Sequence, residues 1–275
     1  MVSGQKTEAN AALANADTLS ELKTKIKLII DTAQTWFFQN HLHTNPTKTK
    51  ILIFHHNDKD NPITFDVQED GVTKQVSPKS YVKILGVYVD KDLNWVKHIN
   101  FVKKKSMNVT RNIHRINYLL PIQHRINLYH GLISPQFDYA DVAWGGCAEK
   151  DKKRLQTVQN FAAKSITGNK KQDSASQSLN KLNFLNLAQR RHIHETVFAH
   201  KAILGKSTAN LCEKYNSLLP THNTRRSTLG KLNLPSHSTS KFKKSPLYRS
   251  IISWNNTPSN LPKDNIKSHK NQYQK

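Results

Sequence analysis

Hydrophobic and polar positions divide this chain into a mixed first third and a helical remainder. After a small, polar lead-in over residues 1–16, Thr18-x-x-Glu21 has capping-box spacing. Leu22, Ile26, Ile29, Ala33 and Phe37 then recur at helical intervals up to Asn40. Trp36 and Phe37 continue that apolar face and are expected in a core. His41 to Lys50 reads as a loop, and Ile51–Phe54 as a short buried strand. Ile63–Val67 and Val72–Val76 form a hairpin pattern around Glu69-Asp70-Gly71. Tyr81–Val89 reads as one central strand, interrupted at Gly86 where a side chain would block a close approach of backbone. Asp90-Lys91-Asp92 makes a polar turn.

From Trp95 the period becomes helical. One long helix is expected from Val96 to Leu120, and a second begins at Pro121 and runs to about Leu132. Pro135–Tyr139 and Trp144-Gly145-Gly146 break the pattern. A third helix spans Lys150–Thr167, with Leu155, Val158, Ala162, Ala163 and Ile166 on one face and Gly168 as its cap. A fourth, broken near Asn183, carries Leu179, Leu182, Leu185 and Leu187; a fifth continues through Ile193, Val197, Ala202 and Leu204. Beyond Gly205 periodicity fades into basic, Ser-, Thr-, Asn- and Pro-containing sequence, with Trp254-Asn255 as the strong apolar anchor. The expected fold class is α+β. A small antiparallel β-rich part with one covering helix (17–95) follows the disordered lead-in, and a helical part (96–205) and a weakly folded basic segment (206–275) complete the chain.

Charge changes this picture most. There are 42 Lys and Arg against 19 Asp and Glu, a net charge of +23, and such an excess points to a polyanionic partner. It is also uneven: no acid lies between Trp95 and Phe137. Lys103, Lys104, Lys105, Arg111 and Arg115 can line a helix face and neutralise phosphates without reading bases. The alternative is a solvated basic helix. The apolar fraction, 36%, is low enough that some segments are expected to pack poorly. Cys147 and Cys212 are too few for a disulfide framework, which fits a reducing compartment, and they bridge only if the fold joins them. The polar start and the absence of any apolar run of bilayer length suggest an intracellular protein with no membrane partner; nucleus and cytoplasm are not distinguished.

Catalytic chemistry finds little support. The 14 histidines lack zinc-enzyme spacing, His192 and His194 falling on opposite sides of a helix. Asp58-Lys-Asp60 and Asp90-Lys-Asp92 are the only D-x-D runs, and both look like turns rather than two-metal sites. There is no glycine-rich phosphate loop and no nucleophile elbow, so no small-molecule substrate is expected.

The order of motifs nevertheless resembles a known family. Trp36-Phe37, Asn40, Leu42, Asn45 and Lys48-Thr49 are similar to the W-F-x-x-N-x-L-x-x-N-x-x-K-T run of non-LTR retrotransposon reverse transcriptases. Lys83-Ile-Leu-Gly-Val87, Leu93-Asn-Trp95 and His98-Ile99 resemble the element that follows it there. Leu132–Pro135, Phe137–Tyr139, Trp144-Gly145 and Leu155–Gly168 are similar to the family's thumb, and Thr224-Arg225, Trp254-Asn255 and Leu261-Pro262 to its tail.

The resemblance implies a C-terminal part of an RNA-directed DNA polymerase from a mobile element: late palm, thumb and tail. The family's metal-holding aspartates, one on an early strand and two in a Y-x-D-D hairpin, are expected to lie upstream of Met1. The chain would therefore be inactive alone, hold no cofactor itself, and lack the magnesium ions of the intact family. By the same resemblance Lys48 would be a late-palm general acid, Leu85 and Gly86 part of a primer grip, and the basic helix a track for an RNA–DNA hybrid or duplex. Two other readings stay open: a non-catalytic basic module that binds nucleic acid, and a degraded reading frame with no selected role.

Overall fold

The structure is a computed structural model that describes residues 12–42, 48–54, 63–69, 72–170, 172–222 and 230–257. Asn45, Asp58, Asp60, Thr224-Arg225 and Leu261-Pro262, all singled out above, lie outside the described residues. The chain divides into two units, residues 1–97 and 98–275.

In the first unit, helix α1 (Leu19–Gln39) starts where its sequence directs. Thr18 caps it by accepting the Glu21 N–H at 3.2 Å, and the Glu21 carboxylate reaches back to the Asp17 N–H. Its N-terminal half packs Leu19, Leu22, Ile26 and Ile30 on a small core of Ile53, Ile63 and Phe65. No residue of α1 is fully buried. Trp36, expected in a core, is 52% exposed, and Phe38 is 83% exposed. The helix outruns the surface that could cover it.

Strands β1 (Phe65–Glu69) and β2 (Val72–Val76) pair antiparallel, Phe65 opposite Val76, as the alternation predicts; the intervening Asp70-Gly71 is outside the described residues. Ile51–Phe54 is not a strand. Ile53 is buried and the Ile51 carbonyl accepts the Lys79 N–H at 2.8 Å, but no ladder forms along the segment. The expected central strand is two strands, β3 (Tyr81–Ile84) and β4 (Val87–Asp90), folded into a hairpin with Ile84 opposite Val87. Leu85 (φ 45) and Gly86 (φ 88) are the two turn residues. A two-residue turn with both φ positive matches the strands' right-handed twist. Gly86 therefore serves the turn rather than a close approach of another backbone. Among the described residues both sheets are two-stranded.

In the second unit, α2 (Val96–Arg115) stops five residues earlier than expected, and Asn117–Leu119 makes a single 3-10 turn. Pro121 caps α3 (Ile122–Leu128), which runs through a π-turn at Tyr129–Ile133 into α4 (Ser134–Asp138). The break expected at Pro135 is thus absorbed. The Ser134 N–H reaches back to the Tyr129 carbonyl, and the wider turn accommodates a residue that has no N–H to give. A short α5 (Asp141–Trp144) precedes α6 (Glu149–Thr167), which buries Leu155, Val158, Ala162, Ala163 and Ile166 and ends at Gly168 in the left-handed region. Trp144 is fully buried, its Nε1 donating to the Tyr139 carbonyl, and it meets the His98 ring at 5.5 Å. After α7 (Ala175–Lys181) the chain turns at Asn183 (φ 52) into α8 (Leu187–Ile203), opened by an Asn186–Gln189 capping box.

The segment beyond residue 205 is more ordered than its composition suggests. Helices α9 (Ala209–Asn216), α10 (Ser240–Lys243) and α11 (Pro246–Asn256) follow, and α11 packs along α8. Tyr215, Leu232, Ile251 and Trp254 join Ala199 and Ala202 in one core. Asn255 holds Leu232 by both backbone groups, at 2.8 and 3.0 Å, as a neighbouring strand would.

Candidate nucleic-acid interface

Helix α2 carries the strongest charge signal, and its packing decides which charges face water. His98, Ile99, Val102, Ser106, Thr110 and Ile113 are buried. At about 100° per residue these fall on one side of the helix. Lys104, Arg111 and Arg115 fall on the opposite side, and all three are exposed. Lys103, Lys104 and Lys105 cannot share that face, because consecutive residues diverge by about 100°. Lys103 is half-buried beside the packed face, and Lys105 is exposed on the other flank. The ion pairs among the described residues include none of these five cations. Lys97, on the first turn, lies 4.7 Å from the centre of the Tyr81 ring.

The end of α2 carries a feature that charge counting misses. Ile116, Tyr118, Leu119 and Ile122 are exposed, Tyr118 at 81%. Their backbone is tied down. Asn117 Nδ2 donates to the Ser165 carbonyl, and His114 Nδ1 lies 2.9 Å from Ser165 Oγ. Arg125 donates to the carbonyls of Leu120 (2.7 Å) and Ile166 (3.0 Å). The available signal was an apolar Ile-Asn-Tyr-Leu-Leu run ending an acid-free helix.

The other sequence candidates belong to the first unit. Lys48 is exposed in a turn. Leu85 is 72% exposed at the β3–β4 tip, a left-handed position unusual for a branched apolar side chain. At the other end of the β3–β4 hairpin, Asp90 is engaged by the backbone. Its carboxylate accepts the N–H groups of Asp92 (3.1 Å), Asn94 (3.0 Å) and Trp95 (2.7 Å), organising the entry to α2. It is a turn residue whose carboxylate holds the backbone that leads into α2.

A second cluster of acids sits where α8 meets the 134–147 segment. Asp138, Asp141 and His194 place ligand atoms within 4.8 Å of one another. They do not suit the magnesium that the family resemblance implies. Arg190 forks onto both oxygens of Asp138, putting a guanidinium where a cation would have to bind. His194 Nδ1 is 2.7 Å from Asp141 Oδ2. Burial raises the Asp141 carboxyl above its usual range, with the His194 contact opposing that effect. One turn along, Arg249 pairs with Glu195 at 2.9 Å and donates to the Val142 carbonyl, while Ser253 Oγ donates to Glu195 at 2.7 Å. The set is a ladder of partly buried pairs that fixes Asp138–Gly146 on α8 and α11. Cys147, beside it, is buried with its thiol pushed up by desolvation, and neither it nor Cys212 is bridged. No described helix is long and apolar enough to cross a membrane.

No family model and no solved structure matches the chain. The chain is 27% identical over 89 residues to a probable RNA-directed DNA polymerase from transposon X-element of Drosophila melanogaster. The likeness covers 31% of the chain and 10% of that relative's length, and it supports a relationship to retroelement reverse transcriptases.

Proposed function

We propose that this chain is a C-terminal, non-catalytic portion of a mobile-element RNA-directed DNA polymerase, whose second unit grips nucleic acid by its phosphates. The observation that carries the reading is the exposed face of α2. Lys104, Arg111 and Arg115 stand opposite the packed side of a helix that contains no acid. In this reading the Leu85–Gly86 tip serves as a primer-grip-like contact and Lys48 as a late-palm lysine, both carried over from the family resemblance. The engagement of the Asp90 carboxylate with the backbone of its own turn supports reading Asp90-Lys-Asp92 as structural rather than as a two-metal site. A second reading, a free-standing nucleic-acid-binding module, is favoured by the buried core among the described residues of the second unit.

The test is binding of the full chain to unrelated duplexes between about 50 and 200 mM salt. Each phosphate contact contributes a slope of about −0.9 in log affinity against log salt. Replacing Lys104, Arg111 and Arg115 with Gln should flatten the slope by about 2.7 and weaken all duplexes alike. Replacing Lys103 and Lys105 instead should flatten it far less, because they flank the face. Equal effects of the two sets would mean that the contact is not confined to the exposed face, and no effect of either would leave α2 as a merely solvated helix.

A further inference from the structure

We propose that Tyr118, on the braced turn at the end of α2, stacks on an unpaired nucleobase where a duplex held along α2 gives way to single strand. The inference rests on the backbone-gripping reading of α2 and adds a second chemistry to it. Four features on one short segment point the same way.

Tyr118 is the most exposed aromatic residue of the described second unit, at 81%, and Leu119 beside it is nearly as open. A large aromatic ring left in water at that level has no part in this unit's core. The turn beneath it is nonetheless rigid. The Leu119 N–H donates to the Ile116 carbonyl at 3.0 Å and the Leu120 N–H to the Asn117 carbonyl at 3.2 Å. Asn117, His114 and Arg125 fasten both sides of the turn to Ser165 and Ile166 at the end of α6. A ring presented on a fixed turn loses little freedom on binding, which is what a stacking platform requires.

The surroundings select the occupant. Arg115 lies three residues before Tyr118 and Arg111 one helical turn before that, and no acid occurs from Trp95 to Phe137. Exposed arginines on the last turns of α2, followed by an exposed ring, fit a polyanion that also offers flat apolar faces. Nucleic acid has both, and every base has such a face, so the contact tolerates sequence. In an intact duplex the base faces are covered by their neighbours. The occupant is therefore an unpaired base at a junction or overhang, with Leu119 and Ile122 as apolar surface beside it.

The experiment uses the full chain and three probes: a blunt duplex, the same duplex with a short single-stranded extension, and the extension strand alone. Tyr118→Ala should weaken binding of the extended duplex about tenfold. It should leave the blunt duplex, the salt slope and the melting temperature unchanged, since no phosphate contact and no buried group is lost. Tyr118→Phe should bind as wild type, because the ring and not the hydroxyl makes the contact. Tyr118→Trp should bind at least as well and show quenched fluorescence with the extended duplex but not the blunt one. Undiminished binding of the extended duplex by Tyr118→Ala, an equal loss on the blunt duplex, or a loss in Tyr118→Phe would each overturn the assignment. The two readings fail separately. If the Lys104, Arg111 and Arg115 set controls duplex binding while Tyr118→Ala is silent, only the stacking inference falls. If the set is without effect while the extended duplex still depends on Tyr118, only the backbone grip falls.

Discussion

The two units of this chain meet the same physical demand with opposite success. The second buries large side chains completely, among them Trp144, Tyr129, Leu155 and Ile251, and pairs most of the polar groups it takes inside. The first builds its core from Ile53, Ile63, Phe65 and one half of α1, and leaves Leu28, Trp36, Phe38, Ile84 and Leu85 in water. Its two sheets are single hairpins, a size at which sheets are rarely stable alone. The difference teaches that helical sequence can close a core with its own neighbours, whereas short strands need further strands or another surface beside them.

The comparison breaks most visibly if the units are separated. Residues 98–275 should melt cooperatively as a soluble species, and residues 1–97 should aggregate or bind a hydrophobic dye strongly. A soluble, cooperatively melting 1–97 fragment would show that its small core suffices. Next in size is an acid response confined to the second unit. Burial against Trp144 pushes His98 from its ordinary 6.5 down to about 4. Between those values the unfolded chain takes up a proton that the folded one refuses. The stabilisation is therefore full above pH 6.5 and drains away as pH falls through about 4, in all about 3 kcal/mol. His98→Phe should remove that portion of the acid slope in denaturant titrations, and an unchanged slope would place the sensitivity elsewhere.

A smaller effect tests how tightly the second unit is closed. A Cβ at Gly146 would fall on the Lys244 carbonyl oxygen. Gly146→Ala should destabilise by about 2 kcal/mol through a forced backbone shift, read from its unfolding midpoint. The smallest effect lies in the first unit. Leu85 holds φ 45 at a hairpin tip, and Asn tolerates that region better. Leu85→Asn should stabilise the hairpin by about 1 kcal/mol, seen as slower amide exchange along β3 and β4. If the mutation also weakens nucleic-acid binding, the strained leucine is there for contact rather than for folding.

Local signals were legible in the sequence, and contacts between distant segments were not. Thr18 and Gly168 mark helix ends by their own hydrogen bonding or conformation, so a few adjacent residues suffice to place them, whereas the Asn186 cap was missed and Leu187, expected in the fourth helix, opens α8. The β3–β4 turn escaped because Leu85 is a poor advertisement for a left-handed position. The order beyond residue 205 escaped because it comes from pairings such as Tyr215 with Ser250 and Asn255 with Leu232, each spread over more than twenty residues of polar sequence. At the candidate interface the basic helix was legible from charge alone. Which of Lys103, Lys104 and Lys105 faces outward follows only once the packed face is known, and Tyr118 stands out only once its neighbours are seen to be anchored.

The docking of α11 on α8 has a consequence for synthesis. Glu195 and the core around Ala199 wait for Arg249, Ser253 and Trp254, more than fifty residues later. At ordinary elongation rates the ribosome takes roughly ten to thirty seconds to travel from the end of the first unit to Trp254. For the later part of that interval the open faces of α1 and the hairpins are outside the tunnel while the core around Ala199 is still unfinished. During translation the chain therefore exposes the unfinished α8 core in addition to those faces, which ties chaperone demand to the order in which its two units emerge.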